Sequence, residues 1–358
     1  MLTSVHSFAE SNIGPWFLWF IVILATVATA LILYRKSLLE SENRMDAIVS
    51  REGSFLFNNV LFVSLAFATF LGTTFPVLSE AVTGTKISVS APFFNRVNVP
   101  IALALLLLTG AGPVLSWKRA TASVLRRNFI LPTILGVVAA LLSLPLGAHG
   151  VNTLVCVFGA AFVTTTIVME FARGIQARQG IETAPLPAAV VHLVRKNRRR
   201  YGGYIVHGGI VVLFIGVLGS SVFQKEAHAP LRQGEAIHIG PYTLTLRGVR
   251  ESQKQNASLT TADVAVERSG KFLGLEHPSK ALYTKAQQPM TEVALRTTPM
   301  EDLYLILGGV NEDGSTSIQA YINPLVSLVW GGGAIMLFGI LIALSDKMRI
   351  RREEMTSA

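Results

Sequence analysis

The sequence predicts a membrane protein: an all-α bundle of about seven transmembrane helices, with a small external β-rich domain inserted between helices 6 and 7. Three observations predict this. Apolar residue types make up 51% of the 358 residues, and charged residues make up only 15%, against about a quarter in soluble domains. Seven apolar runs are long enough to span a bilayer. Basic residues also cluster in alternate loops.

The predicted spans are runs that approach the roughly 20 apolar residues a membrane helix needs. They cover residues 15–34, 55–75, 97–116, 128–146, 151–171, 204–223 and 324–344. The predicted organisation is an external segment (1–14), a six-helix region (15–223), the external β-rich domain (224–323), a seventh helix (324–345) and a basic tail (346–358).

The distribution of lysine and arginine predicts the orientation. Basic clusters follow the first, third and fifth spans and end the chain, whereas the opposite short segments hold only Lys86 and Arg96. Because basic loops stay in the cytoplasm, the amino terminus is predicted outside and the carboxyl terminus inside. The net charge of +9 is therefore read as a topology signal, with membrane lipid and not nucleic acid as the expected partner.

The external segment between the last two spans predicts a small β-sandwich or barrel. Its apolar and alternating stretches are separated by Gly, Pro and polar clusters, a pattern typical of short antiparallel strands. Asn311 to Gly314 predicts a turn. The strand candidates are residues 236–240, 242–247, 263–267, 291–296 and 303–307.

Histidines and intramembrane polar groups are the candidates for chemistry, because the sequence has no Walker loop, H-E-x-x-H motif or serine elbow. The one cysteine, Cys156, lies in an apolar run. It forms neither an internal disulfide nor the C-x-x-C-H motif that attaches haem covalently. The chain is therefore not itself a c-type cytochrome, and Cys156 is predicted to be a small buried residue.

His207 is the sharpest candidate, because an ionisable group inside a span is costly and functional by default. Neutral imidazole is a ligand of haem iron. Helical spacing places Gly203, His207 and Phe214 on one stripe, where the glycine leaves room for a flat macrocycle and Phe214 can pack on its face. The alternative is a structural histidine bonded to a neighbouring helix, with Gly203, Gly208 and Gly209 serving close helix packing.

The other histidines give weaker signals. His6 lies in an apolar patch before the first span, where an amphiphilic ligand could lie, although a solvated side chain is the simpler interpretation. Glu170, at the end of the fifth span, is predicted to be an interfacial or helix-packing group. The five remaining histidines are predicted to be structural: His149, His192, His228, His238 and His277.

Collinear motifs along nearly the whole chain resemble the second half of the CcmF/NrfE haem lyases of cytochrome c maturation. The resemblance implies that the protein helps transfer haem from a CcmE-like periplasmic chaperone to apocytochrome c, alongside CcmH-like thiol-reducing proteins. The matching stretches are residues 2–9, 51–52 with 58–59, 71–73 with 75–76, 92–96, 110–113, 198–203 with His207, and 323–324 to 346.

The resemblance also assigns residues. His207 matches a ligand of an intramembrane haem b that keeps the transferred haem reduced, with quinol as a candidate electron donor. His6 matches an external ligand of the transferred haem. Both are thus expected to bind haem iron, in a bacterial inner-membrane protein with a periplasmic amino terminus and a cytoplasmic carboxyl terminus.

Each of these haems takes its other histidine from an amino-terminal half that has no counterpart in this sequence. The resemblance therefore implies a carboxyl-terminal half or split subunit of a lyase, which binds haem weakly without that partner. A membrane transporter of haem or another solute is one competing hypothesis. A non-catalytic scaffold of the maturation complex is the other, and it predicts that His6 and His207 can become alanine without loss of cytochrome c.

Overall fold

The computed structural model describes residues 14–39, 47–85, 87–179, 185–254, 256–283 and 289–356. Short 3₁₀ turns, Gly112–Val114 and Leu144–Leu146, extend two of its helices. The helices are α1 (Gly14–Tyr34), α2 (Lys36–Leu39), α3 (Arg51–Thr83), α4 (Ala91–Ala111), α5 (Ala122–Ser143), α6 (Val151–Gln179), α7 (Leu186–Lys196), α8 (Arg198–Val222) and α9 (Ser327–Thr356).

Six of the described helices are long and apolar enough to cross a membrane, as judged by length and composition. They correspond to the second to seventh predicted spans and cover residues 51–76, 91–114, 122–146, 151–177, 198–222 and 327–345. The first predicted span coincides with α1, which contains the shorter apolar stretch Trp19–Tyr34. The protein is therefore a multi-pass membrane protein. Helix α9 runs on to Thr356, through most of the segment predicted as a tail.

The chain packs as two compact units. The described residues of the first unit lie within 1–105 and 115–124, and those of the second lie within 106–114 and 125–358. In the first unit, Ser50 caps α3 by accepting a hydrogen bond from the Gly53 backbone N–H at 2.9 Å. Close approach of α4 to α3 depends on Gly72, because a Cβ there would lie 2.7 Å from the rings of Phe93 and Phe94.

In the described part of the second unit, ten strands lie between α8 and α9. One sheet has the order β1-β10-β9-β8, and the other has the order β2-β3-β4-β6-β7, with β5 paired to β4. The strands are β1 (Lys225–Leu231), β2 (Ala236–Ile239), β3 (Tyr242–Lys254), β4 (Ala257–Arg268), β5 (Lys271–Glu276), β6 (Ser279–Tyr283), β7 (Pro289–Glu292), β8 (Ala294–Thr297), β9 (Glu301–Val310) and β10 (Thr316–Pro324).

The two sheets enclose one apolar core, and all their strand pairs are antiparallel. Alternate residues of β9, such as Leu305, and of β3, such as Leu244, are fully buried. The predicted turn closes the β9–β10 hairpin, where Gly314 donates its N–H to the Asn311 carbonyl at 3.0 Å. The predicted fold class, a helical membrane bundle with an inserted β-sandwich, is confirmed.

One predicted strand is too long. Residues 291–296 do not form a single strand, because the chain breaks at Val293 between β7 and β8. Strand β7 pairs with β6 in one sheet, whereas β8 pairs with β9 in the other. This segment carries the chain from one sheet of the sandwich to the other. The alternating apolar and polar residues therefore belong to two strands in different sheets.

Candidate functional site

Helix α8 packs on α9 through glycines spaced seven residues apart. A Cβ at Gly202 would lie 2.8 Å from the Gly339 carbonyl oxygen, and one at Gly209 would lie 2.7 Å from that of Gly332. Gly216 is equally close to the α9 backbone. Such small residues let two membrane helices approach backbone to backbone. This contact fixes the rotation of α8 and therefore the direction in which its other side chains point.

The stripe of α8 away from this contact carries Gly203, His207 and Phe214. Apart from the adjacent backbone of its own helix, a Cβ built at Gly203 would meet no described atom within 4 Å. His207 is half-buried, and its Nδ1 is a buried atom with no hydrogen-bond partner in the described part of the chain. Buried polar atoms in proteins nearly always have partners. The imidazole is therefore a half-buried polar group with unused hydrogen-bonding capacity.

The glycine and the imidazole belong to one local site. Helical side chains lean toward the helix amino terminus, so the His207 side chain extends over the turn that contains Gly203. Phe214 lies on the same stripe about 10 Å further along the axis. Gly203, His207 and Phe214 thus lie on one stripe of α8. Of the three glycines in the packing alternative, only Gly209 contacts another helix closely. A Cβ at Gly208, like one at Gly203, would have no described neighbour within 4 Å.

An ion cluster built on a buried carboxylate lies one to two helical turns before His207, between α6 and α8. The Glu170 side chain is only 8% exposed. Its carboxylate accepts hydrogen bonds from the Tyr204 hydroxyl at 3.0 Å, from Arg173 at 3.0 Å and from Arg200. The helix-packing interpretation of Glu170 therefore fits the geometry. Spacing along the sequence did not indicate the cluster, because Glu170 and Arg200 are 30 residues apart.

An apolar cavity of about 490 Å³ opens between α6 and α7, and His207 is not one of its lining residues. Its walls include Phe171, Ile175 and Val190, and Gln176 is its polar lining residue. Helix α7 is amphipathic, with Ala189 and Leu193 buried and Val191 exposed. The sequence analysis did not identify α7 as a separate helix.

His6 lies outside the described residues. Three histidines of the sandwich have neighbours within it: the His277 Nδ1 lies 2.6 Å from an Asp263 carboxylate oxygen, His238 lies 3.1 Å from the Thr243 hydroxyl, and His228 packs edge-on against Tyr321. The described residues contain no cluster of three or more His, Cys, Asp or Glu side chains that could hold a metal ion. Among the described histidines, His207 is therefore the candidate ligand, because its ring has a buried nitrogen without a hydrogen-bond partner in the described part of the chain.

Comparisons with known proteins agree with this architecture. A family model described as the CcmF C-terminal beta-sandwich matches residues 222–324. The chain is 31% identical over 348 residues to the cytochrome c-type biogenesis protein ccl1 of Rhodobacter capsulatus, covering 97% of this chain and 52% of that protein. It is 29% identical to the cytochrome c-type biogenesis protein CycK of Rhizobium meliloti, covering 97% of this chain and 51% of that protein.

The chain is thus similar to the CcmF, CycK and NrfE proteins along nearly its whole length, and residues 222–324 match the CcmF C-terminal beta-sandwich. Its fold is also that of a solved structure named Cytochrome c Heme Lyase CcmF, with a TM-score of 0.72 and 24% identity over 94% of this chain and 51% of that one. The chain spans about half the length of the curated CcmF relatives it matches. The resemblance inferred from the sequence motifs is thereby confirmed at the level of the family.

Proposed function

We propose that this chain is a haem-binding component of cytochrome c maturation, with His207 as the residue that would hold a haem b within the membrane. One observation carries the proposal: the half-buried His207 imidazole has a buried Nδ1 without a hydrogen-bond partner among the described residues, and it lies one helical turn from Gly203, where an added Cβ would have no described neighbour. The relatives' names, which refer to cytochrome c-type biogenesis, supply the process.

The residues present fit a haem. Haem ligation requires an imidazole and room for the macrocycle, and the stripe of α8 carries His207 and the unfilled position at Gly203. His207 would hold the iron, Gly203 would leave room for the macrocycle, and Phe214 would pack on it. A bound haem would supply a one-electron couple at this place. The Gly209–Gly332 contact would hold α8 in the rotation that keeps the imidazole pointed at that space.

The wider proposal follows the family. The amino-terminal half of the relatives, or a separate subunit equivalent to it, would supply a second histidine to hold the haem. His6 would bind the haem that a CcmE-like chaperone delivers for transfer to apocytochrome c, with CcmH-like proteins keeping its thiols reduced and quinol as the candidate electron donor. The orientation would be the one the basic loops favour, with the sandwich in the periplasm and α9 ending in the cytoplasm.

Optical spectra of the purified chain test the haem site. We expect a reduced-minus-oxidised haem b spectrum that is strengthened and turned low-spin by added imidazole, which replaces the missing second histidine. The same spectrum should appear without imidazole when the amino-terminal half of a relative is co-purified. His207→Ala should abolish it in both preparations, because no other described histidine lies on this stripe.

His192→Ala is the matched control, since His192 is exposed on α7 and outside the stripe. Its spectrum should equal that of the wild type. Normal cytochrome c formation by the His207→Ala variant, with no haem in either preparation, would leave a scaffold as the better function. Haem uptake into vesicles without a chaperone would indicate a transporter.

A further inference from the structure

Arg200 lies on the same stripe as His207. The two residues are seven positions apart on α8, so their side chains leave nearly the same face, about 10 Å apart along the axis. Gly203 lies between them and leaves the intervening surface open. The Arg200 side chain is 60% exposed although its guanidinium reaches Glu170. The stripe thus has an imidazole at one end and a cation at the other.

The ion cluster around Arg200 has an unbalanced charge. The Glu170 carboxylate is bonded by two guanidiniums, those of Arg173 and Arg200, and by the neutral Tyr204 hydroxyl. One negative charge therefore faces two positive charges within this cluster of described residues. Because the Arg200 side chain is more than half exposed, it remains accessible to an additional anion while it bonds Glu170.

We propose that Arg200 binds a propionate carboxylate of the haem that His207 ligates, an inference that rests on the proposed function. Haem carries both propionates on one edge. With the iron at His207 and the macrocycle beside Gly203, that edge can face Arg200. Guanidinium has five N–H donors in a fork that matches a carboxylate, so Arg200 can hold Glu170 and a propionate together. Glu170 and Tyr204 keep the guanidinium in place.

Comparing haem with its dimethyl ester tests whether Arg200 binds a carboxylate. The ester keeps the iron and the macrocycle but has no free carboxylate. Each is titrated by absorbance into the purified full chain with imidazole present. We expect the wild type to bind haem roughly tenfold more tightly than the ester, the effect of one charged hydrogen bond. Arg200→Gln should remove that preference and leave ester binding unchanged. Arg200→Lys should keep part of it.

Two further variants separate anion binding from folding. Arg200→Gln leaves the buried Glu170 with one cation fewer, which could disturb the helix contact. The double variant Glu170→Gln with Arg200→Gln removes both charges. The contact between α6 and α8 then contains no carboxylate that lacks a cation. We expect it to bind the ester like the wild type and still to lack the preference for haem. Lys196→Gln, which removes an exposed charge at the end of α7, should retain the preference.

Other patterns of binding would overturn the inference. Equal affinity of the wild type for haem and ester, or a preference that survives Arg200→Gln, would show that Arg200 binds no propionate. Loss of co-purified anionic phospholipid in Arg200→Gln, with the haem preference intact, would assign the cation to a lipid phosphate. Binding of neither compound to the wild type would instead contradict the haem site itself, whereas His207→Ala losing both ligands would support it.

Discussion

Gly203 and Gly209 lie on one helix but have opposite surroundings. A side chain at Gly209 would collide with the backbone of α9, whereas one at Gly203 would enter open space. Glycine in a helix interior costs about 1 kcal/mol relative to alanine. At Gly209 that cost is offset by helix contact. At Gly203 no described neighbour occupies the space that a side chain would fill, which supports the proposal that a ligand occupies it.

Filling the space at Gly203 should remove haem without unfolding the chain. We expect Gly203→Leu to insert and unfold like the wild type, because leucine favours helix and its Cβ would have no described neighbour within 4 Å. Haem content after purification should fall at least tenfold, since the leucine occupies the place of the macrocycle. The measurement is the haem-to-protein ratio together with thermal unfolding in detergent.

Gly208→Leu is the matched control, because Gly208 also has open surroundings but lies on another face of α8. It should keep its haem. Equal loss of haem from both variants would contradict a site confined to the Gly203 stripe.

Tyr242 should make the sandwich sensitive to alkali. Burial, and the hydrogen bond that its hydroxyl donates to Glu301 at 3.0 Å, raise the pKa of Tyr242 above its usual value of 10.0. A raised pKa in the folded state means that the folded form holds the proton more tightly than the unfolded form. This contribution to stability is present below about pH 10 and is lost as pH rises through the folded pKa.

The test compares urea unfolding of the sandwich near neutral pH and above pH 10 for the wild type and Tyr242→Phe. The wild type should lose more stability than the variant between the two conditions. An identical loss in both proteins would mean that other groups carry the alkaline sensitivity.

Spacing could predict the residues of one helix stripe but not contacts between helices. Gly203 and His207 are one turn apart, so helical geometry alone places them together. Glu170 and Arg200 meet only because α6 packs on α8. No local pattern in the sequence specifies which helices become neighbours, and the surplus cation next to the stripe was therefore missed.

At the scale of elements, the α8–α9 pair depends on glycine positions more than on apolar character. We expect Gly209→Ala to lower the thermal stability of the chain in detergent, because its Cβ would lie 2.7 Å from the Gly332 carbonyl oxygen. Overpacking of this kind costs about 1–3 kcal/mol. The measurement is the unfolding midpoint of the purified variant.

Gly331→Ala is the control for this prediction. Gly331 is also in α9, but an added Cβ there meets no described atom within 4 Å. Its midpoint should equal or exceed that of the wild type, since alanine favours helix. A Gly209→Ala variant as stable as Gly331→Ala would mean that α8 and α9 can separate at no cost.

Element boundaries were predicted less well than element types. Hydropathy identified the spanning helices because an unbroken run of about twenty apolar residues is typical of a membrane span and rare in soluble folds. It missed α7, which is short and follows a polar stretch, and it joined β7 to β8. Alternation with period two reports a pleated strand but not the sheet to which it belongs.

At the scale of the whole molecule, the sandwich has a core of its own. The buried cluster that contains Leu244 and Leu305 is built entirely from strand residues. We therefore expect residues 222–324 alone to fold as a soluble domain that unfolds in one cooperative step. Leu305→Ala should lower its free energy of unfolding by about 2–5 kcal/mol. Urea denaturation followed by circular dichroism measures both.

Leu295→Ala is the control, because Leu295 lies on β8 with its side chain half exposed. Its effect should stay within about 0.5 kcal/mol. An isolated segment that aggregates or lacks a cooperative transition would show that the sandwich needs the helices in order to fold.

The sandwich also shortens the path between its flanking helices. Helices α8 and α9 lie far apart in sequence, yet β1 and β10, the strands that continue them, pair side by side. At their base the Gln224 amide donates to the Asn323 side chain at 2.6 Å. Closing a flexible loop of this length costs ~4 kcal/mol of chain entropy. Once the strands have paired, that entropy is already lost, so α8 and α9 meet as the two arms of a preformed hairpin. During biogenesis, a slow-folding sandwich would therefore delay the pairing of two helices that it does not itself contain.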